Sequence, residues 1–155
     1  MSFCGMWTAC RKACAPRWLM SPKSLLKFSR GNAKLGMDVW TFSLLAGHSC
    51  PGADKCMARV NLTTHLLEDG PKQEFRCFSA TQEVAFSNTR KAHQHNFEKL
   101  RGCATTQEMV ELLIRSLPKK ALTIRVHVSG DFFNQRYFDA WQAVAALRQI
   151  GRAHV

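Results

Sequence analysis

A short segment around residue 125 constrains the fold of this chain more than any other. Leu122, Ile124, Val126 and Val128 alternate with other side chains, which predicts a strand over 121–128 with one aliphatic face. Helical patterns precede this strand at 79–100 and 106–117, and another follows it. The order helix, helix, strand, helix is typical of an α/β fold with a partly parallel sheet. We therefore expect a layered, partial (β/α)-barrel-like fold.

The boundaries of the other elements follow from local signals. Residues 39–45 are rich in β-branched and aromatic side chains and predict an earlier strand. Thr105 and Glu108 have the spacing of a capping box, and Pro118 follows the end of that helix. Asn134 is suited to cap the final helix. The polar stretch 90–95 is interpreted as a solvated helix face.

All seven cysteines precede the predicted strand 121–128, and three of them, Cys50, Cys56 and Cys77, are candidate metal ligands. The chain has no secretory signal, so its cysteines favour thiols or metal ligands over disulfides. Pro51-Gly52 turns the backbone between Cys50 and Cys56, so both sulfurs, with Cys77, can reach one centre. Three thiolates suit an iron–sulfur cluster such as 4Fe-4S, or Zn²⁺ with His48 or His127 as fourth ligand. Three buried thiols without metal are the remaining interpretation.

The predicted strand ends in Ser129-Gly130-Asp131. In parallel sheets, ligands bind at the carboxyl ends of the strands. Gly130 permits a close backbone approach, and Asp131 can receive an ammonium group or a ligand hydroxyl. These three residues are therefore candidates for cofactor binding. Alternatively, Ser129 and Asp131 cap the turn that follows.

The net charge of +11 suggests nucleic acid as a partner. However, residues 1–37 contain seven basic residues and no acidic one. Without those seven and Arg152, 14 basic residues oppose 11 acidic ones, a net of +3. Nucleic acid is thus weakly supported against an unknown small-molecule or macromolecular substrate. No apolar run has the length of a membrane span, so we expect a cytoplasmic protein without membrane contact.

Both ends of the sequence are expected to lie outside the domain. Residues 1–22 lack the apolar region of a signal peptide and are interpreted as a leader or a spurious extension. Residues 150–155 can be encoded by the start of a common sequencing adapter, which predicts a non-native tail. Residues 23–149 would then be the N-terminal part of an α/β domain that continues past Gln149.

Several motifs in order resemble the phage gene product 88 family, whose members occur in bacteriophages and in bacterial genomes with phage-derived elements. The resemblance covers 25–147 and is carried by the runs 31–36, 41–44, 46–53, 75–78 and 125–133. More loosely, the layout is similar to radical S-adenosylmethionine enzymes. That similarity implies cluster ligation by Cys50, Cys56 and Cys77, with S-adenosylmethionine bound at 129–131. The gap between Cys56 and Cys77 is longer than is usual in those enzymes.

These features give two hypotheses. The first is a phage-associated protein that holds an iron–sulfur cluster on three cysteines and uses S-adenosylmethionine as a possible cofactor. The second is a zinc-stabilised module that binds nucleic acid or acts as a scaffold without catalysis. The sequence assigns no reaction, so it leaves open whether the chain is an enzyme.

Overall fold

A computed structural model describes residues 25–31 and 33–148. In chain order the elements are β1 Ser29–Arg30, β2 Val39–Phe42, β3 Arg59–Val60, β4 Leu67–Glu68, α1 Phe78–Ala85, α2 Ser87–Arg101, α3 Thr106–Ser116, β5 Thr123–Val126 and α4 Gln135–Arg148. The α/β class is thereby confirmed. The expectations for the leader 1–22 and the tail 150–155, and the positions Cys4, Cys10 and Cys14, lie outside the described residues.

The main sheet has the strand order β1-β2-β5. β1 pairs antiparallel with β2, and β2 pairs parallel with β5, with Phe42 opposite Val126. Parallel strands need a long crossover, which here contains the β3–β4 hairpin and helices α1 to α3. Across the described residues this sheet is open, and it does not close into a barrel.

One large core joins the sheet to three of the helices. Phe42 and Ile124 of the sheet share a buried cluster with Leu100 of α2, Leu113 of α3 and Val144 of α4. α3 and α4 also pack against each other. A smaller cluster of Ala46, Ala58 and Ala80 lies where the cysteine loop meets α1, with Cys77 packed against it. None of the helices within 25–148 combines the length and apolar character needed to cross a bilayer.

The expected strand 121–128 is shorter in the structure, because its end is not extended. His127 has φ 62°, in the left-handed region, so the alternation stops at Val126. Leu122 and Val128 are 81% and 44% exposed, so they do not complete the expected aliphatic face. The strand expected over 39–45 likewise ends at Phe42, although the next residues, 43–45, are buried.

The expected helix 79–100 is two helices, separated at Phe86. Phe86 has φ −116° and ψ 96°, which is incompatible with a continuous helix. The buried Arg90 donates through Nη1 to the carbonyl oxygens of Glu83 (2.8 Å) and Val84 (3.4 Å). These bonds satisfy backbone groups at the end of α1 that a continuous helix would have paired internally.

The other two helices agree with their local signals. The hydroxyl of Thr105 accepts from the backbone N–H of Glu108 at 3.1 Å, and the Glu108 carboxylate accepts from Ala104 N at 2.9 Å. Asn134 Oδ1 accepts from Tyr137 N at 2.9 Å. The caps expected for α3 and α4 are therefore confirmed.

Candidate functional site

The cysteine loop begins at the carboxyl end of β2 and is folded by consecutive turns. The N–H of Ala53 donates to the carbonyl of Cys50 at 3.4 Å, closing a turn with Pro51-Gly52 at its centre. The N–H of Cys56 then donates to Ala53 O at 2.9 Å. The turn expected from Pro51-Gly52 is present, and it keeps Cys50 and Cys56 on one compact loop.

The β3–β4 hairpin accounts for the long gap between Cys56 and Cys77. The hairpin leaves the loop and returns, and Gly70 lies against Met57, where no side chain would fit. The N–H of Glu74 donates to Lys55 O at 2.9 Å, and the two side chains form an exposed ion pair at 3.0 Å. The chain therefore arrives at Cys77, the residue before α1, beside the loop that it left.

Cys77 lies near each of the other two thiols, Cys50 and Cys56. Cys56 is within hydrogen-bonding reach of Cys77, and burial together with this contact raises the pKa of the Cys56 thiol. Burial also raises the pKa of Cys50; the nearby Asp131 and Cys77 add to the effect, while hydrogen bonds with Gly47 and Ser49 oppose it. Cys50 and Cys56 therefore lack the lowered pKa of nucleophilic cysteines.

The donor set at this site has the chemistry of a soft-metal site but not yet its geometry. All three thiols are half-buried, and thiolates are the usual ligands of iron–sulfur clusters and of structural zinc. Among the described residues, no three His, Cys, Asp or Glu side chains are arranged closely enough to hold a metal ion. Binding a metal would therefore require the three side chains to converge further and to lose their protons.

Backbone hydrogen bonds tie the chain that enters the turn 129–131 to the end of β2 and to the residues that follow it. His127 N and Val128 N both donate to Phe42 O, at 2.9 and 3.4 Å, and Leu44 N then donates to Ser129 O at 2.9 Å. This doubled contact re-aims the chain as a β-bulge does.

Gly130 fixes the approach of the two loops. Its φ is +80°, and a Cβ there would lie 2.5 Å from Ser49 Oγ and 2.7 Å from Leu44 Cβ. Asp131 N donates to Ser49 Oγ at 3.4 Å, next to Cys50. The Asp131 carboxylate accepts from Phe132 N at 2.7 Å, so this residue also caps its own turn.

The two candidate histidines have other partners. His48 Nε2 lies 2.9 Å from Val60 O, on the side of the β3–β4 hairpin. His127 Nε2 lies 3.0 Å from the Tyr137 hydroxyl, and its ring packs edge-on against Phe132. Burial lowers the pKa of His127 to about 4, despite the nearby Asp131. A metal bound at Nε2 of either ring would have to displace a hydrogen bond.

Glu83 is the residue of this region that the sequence patterns do not indicate. Its side chain is completely buried, and it accepts from Ala46 N (3.1 Å), Ser129 Oγ (3.0 Å) and His93 Nδ1 (2.7 Å). It thereby joins α1, α2, the cysteine loop and the 129–131 turn. The available signal is its spacing of three from Ala80, which sets both on one helix face.

The stretch 90–95, interpreted from sequence as a solvated helix face, is instead partly buried and well bonded. Arg90 is 6% exposed, His93 binds Glu83, and His95 Nε2 lies 2.9 Å from Leu25 O. The interpretation was wrong because charged and imidazole side chains can be buried when each has a partner.

Comparison with known proteins gives one match. The family described as Gene product 88 matches residues 23–151, most of the chain and all of the site described above. No curated protein matches, and no solved structure does.

Proposed function

The chain belongs to the gene product 88 family, and we propose that it is a phage-associated metal-binding protein with an iron–sulfur cluster on Cys50, Cys56 and Cys77. The observation that supports the proposal is that Cys77 interacts with each of the other two thiols. A cluster with three protein thiolates leaves one iron open to another ligand. It would also compensate the cost of bringing half-buried thiolates together.

The turn 129–131 would supply the wall of the adjoining pocket. It lies at the carboxyl end of a parallel strand pair, as ligand sites do in (β/α) barrels. That pair, with its helical crossover, supports the partial barrel-like interpretation. The Asp131 carboxylate is exposed and oriented by its bond to Phe132 N. It is suited to receive an ammonium group such as that of S-adenosylmethionine, by the loose analogy with radical enzymes.

The cluster is tested by comparing cysteine variants of the full chain, purified without oxygen. We expect iron and a broad absorbance near ~400 nm in the parent protein. Cys50→Ser, Cys56→Ser and Cys77→Ser should each lose most of both. Cys103→Ser is the matched control, because Cys103 is also half-buried but lies at the end of α2. Unchanged iron in Cys77→Ser refutes the ligand set.

The same preparations decide between the two metals. Stoichiometric zinc in a colourless protein would favour the hypothesis of a zinc-stabilised module over that of an iron–sulfur protein. Binding of such a module to nucleic acid should weaken steeply with salt. If iron is present, S-adenosylmethionine binding is measured on the parent, Asp131→Asn and the control Asp139→Asn. Equal binding by all three would remove Asp131 from the cofactor site.

A further inference from the structure

A cavity lies between the main sheet and helices α1 and α2. Its volume is about 270 Å³, slightly below the usual range for drug-sized ligands. Thr41 of β2, Gln82 of α1, His93 of α2 and Ser129 line it, and none of the described cysteines does. Its shape and position therefore suit a small molecule that is bound independently of a metal.

The described polar groups around this cavity can donate hydrogen bonds, and none of them is acidic. The described residues that line it include Lys27, His93, Gln82 and several with hydroxyl side chains, but neither Asp nor Glu. These groups can all donate hydrogen bonds. A small oxyanion offers the complementary acceptors and a negative charge. A cationic ligand would find no acidic partner in this lining.

A buried amide holds one wall of the cavity. Asn96 is 1% exposed, and its Oδ1 accepts from the backbone N–H of Lys27 at 2.7 Å. Its Nδ2 donates to the carbonyl oxygens of Lys27 (2.8 Å) and Ser43 (3.1 Å). One side chain thus fixes the backbone of two lining residues. The Lys27 side chain itself is exposed and reaches the cavity from this fixed position.

A buried carboxylate holds the opposite wall. Glu83 accepts from Ser129 Oγ and His93 Nδ1, two residues that line the cavity. Because a carboxylate only accepts, the proton of this contact lies on Nδ1 of His93. Nε2 then remains for a ligand, and it has no hydrogen-bond partner within the described ranges. A histidine oriented through its other nitrogen is a common way to present an imidazole to a bound molecule.

We propose that this cavity binds a small molecule through a carboxylate or phosphate group, held by Lys27 and by His93 Nε2. Binding to Nε2 uses the imidazolium form of His93, with the proton supplied by solvent and the positive charge balanced by Glu83. The hydroxyl groups of Ser29, Ser43 and Thr89 supply further donors, whereas those of Thr41, Ser79 and Ser129 donate to protein acceptors. The site shares Ser129 with the 129–131 turn but includes none of the proposed cluster ligands, so one can fail without the other.

The test is an NMR titration of the full-length, metal-free protein with inorganic phosphate and, separately, with acetate. We expect the His93 ring signals to shift saturably with at least one of the two anions. Followed through the backbone amide signals of the lining residues, which every variant retains, Lys27→Met and His93→Gln should each weaken that binding about tenfold, the loss of one charge-assisted contact. Whichever anion binds more tightly identifies the ligand group.

Two matched variants separate a built site from general attraction to a basic protein. Lys91→Met removes an exposed charge of α2 that does not line the cavity, and His95→Gln removes an imidazole that is bonded to Leu25 O. Both should leave the affinity unchanged. The proposal is overturned if neither anion shifts His93, or if Lys91→Met weakens binding as much as Lys27→Met. Because Lys27 is exposed, its substitution leaves the fold intact.

Discussion

Replacing Glu83 by Gln should destabilise the protein far more than an exposed substitution of the same kind. The side chain is completely buried, and three donors from different segments converge on its two oxygens. Gln has nearly the same shape, so packing is preserved. Its amide NH₂, however, must replace either Oε2, which faces Ala46 N, or Oε1, which faces all three donors.

The magnitude follows from the contacts that are lost. A hydrogen bond to a charged group contributes about 1.5–3 kcal/mol, and a buried donor left without a partner costs about 1–3 kcal/mol. Ser129 and His93 can reorient their protons, which recovers part of this. We therefore expect Glu83→Gln to lower the free energy of unfolding by about 3 kcal/mol. With a urea m-value of about 2 kcal/mol/M, the midpoint falls by about 1.5 M.

The assay is urea denaturation followed by far-UV circular dichroism, with Glu111→Gln as the matched control. Glu111 is exposed on α3 and, within the described part of the chain, accepts from Gln107 alone, one turn earlier. Its replacement should change the free energy of unfolding by less than about 0.5 kcal/mol. If Glu83→Gln is equally mild, the carboxylate does not join the surrounding segments, and the account of this region is wrong.

Three further predictions concern single positions. Gly130→Ala should lower the free energy of unfolding by about 2–4 kcal/mol, because the residue has a positive φ and an added Cβ would clash with Ser49. Gly52 has open space around it, so Gly52→Ala should change the free energy of unfolding much less in the same urea assay. In metal-free protein the NMR titration midpoint of His127 should lie at about pH 4. That pKa is below the unfolded value of about 6.5, so the contribution of His127 to the free energy of unfolding is full above pH 6.5 and is lost as the pH falls towards 4. The loss amounts to about 3 kcal/mol in all. An unchanged free energy of unfolding over that range would refute this prediction. Thr105→Ala should cost about 1 kcal/mol by thermal unfolding, since the cap of α3 is lost.

Local signals predicted the elements whose ends depend on local chemistry. α3 and α4 begin where Thr105 and Asn134 cap them. The break at Phe86 was missed because it depends on Arg90, a residue four positions on whose side chain folds back to α1. The end of β5 was missed because the aliphatic pattern continues to Val128, whereas the backbone at His127 turns left-handed to meet the cysteine loop.

In the candidate site, too, features that depend on distant partners could not be predicted from local signals. The order of the motifs suggested that the cysteine loop and the 129–131 turn form one site, which stays a prediction, although the two segments do pack through Ser49 and Gly130. The role of Glu83 could not be predicted, because its three donors come from three other segments that only the fold brings to α1. His93 was misjudged for the same reason, since a basic, polar stretch resembles a solvated surface until its buried partner is known.

The most direct test of the metal proposal is the stoichiometry of iron and acid-labile sulfide in protein purified without oxygen. We expect about four iron atoms and about four sulfides per chain, as a 4Fe-4S cluster contains. Protein that takes up neither iron nor sulfide under these conditions, even after chemical reconstitution, would contradict the account and leave Cys50, Cys56 and Cys77 as buried thiols.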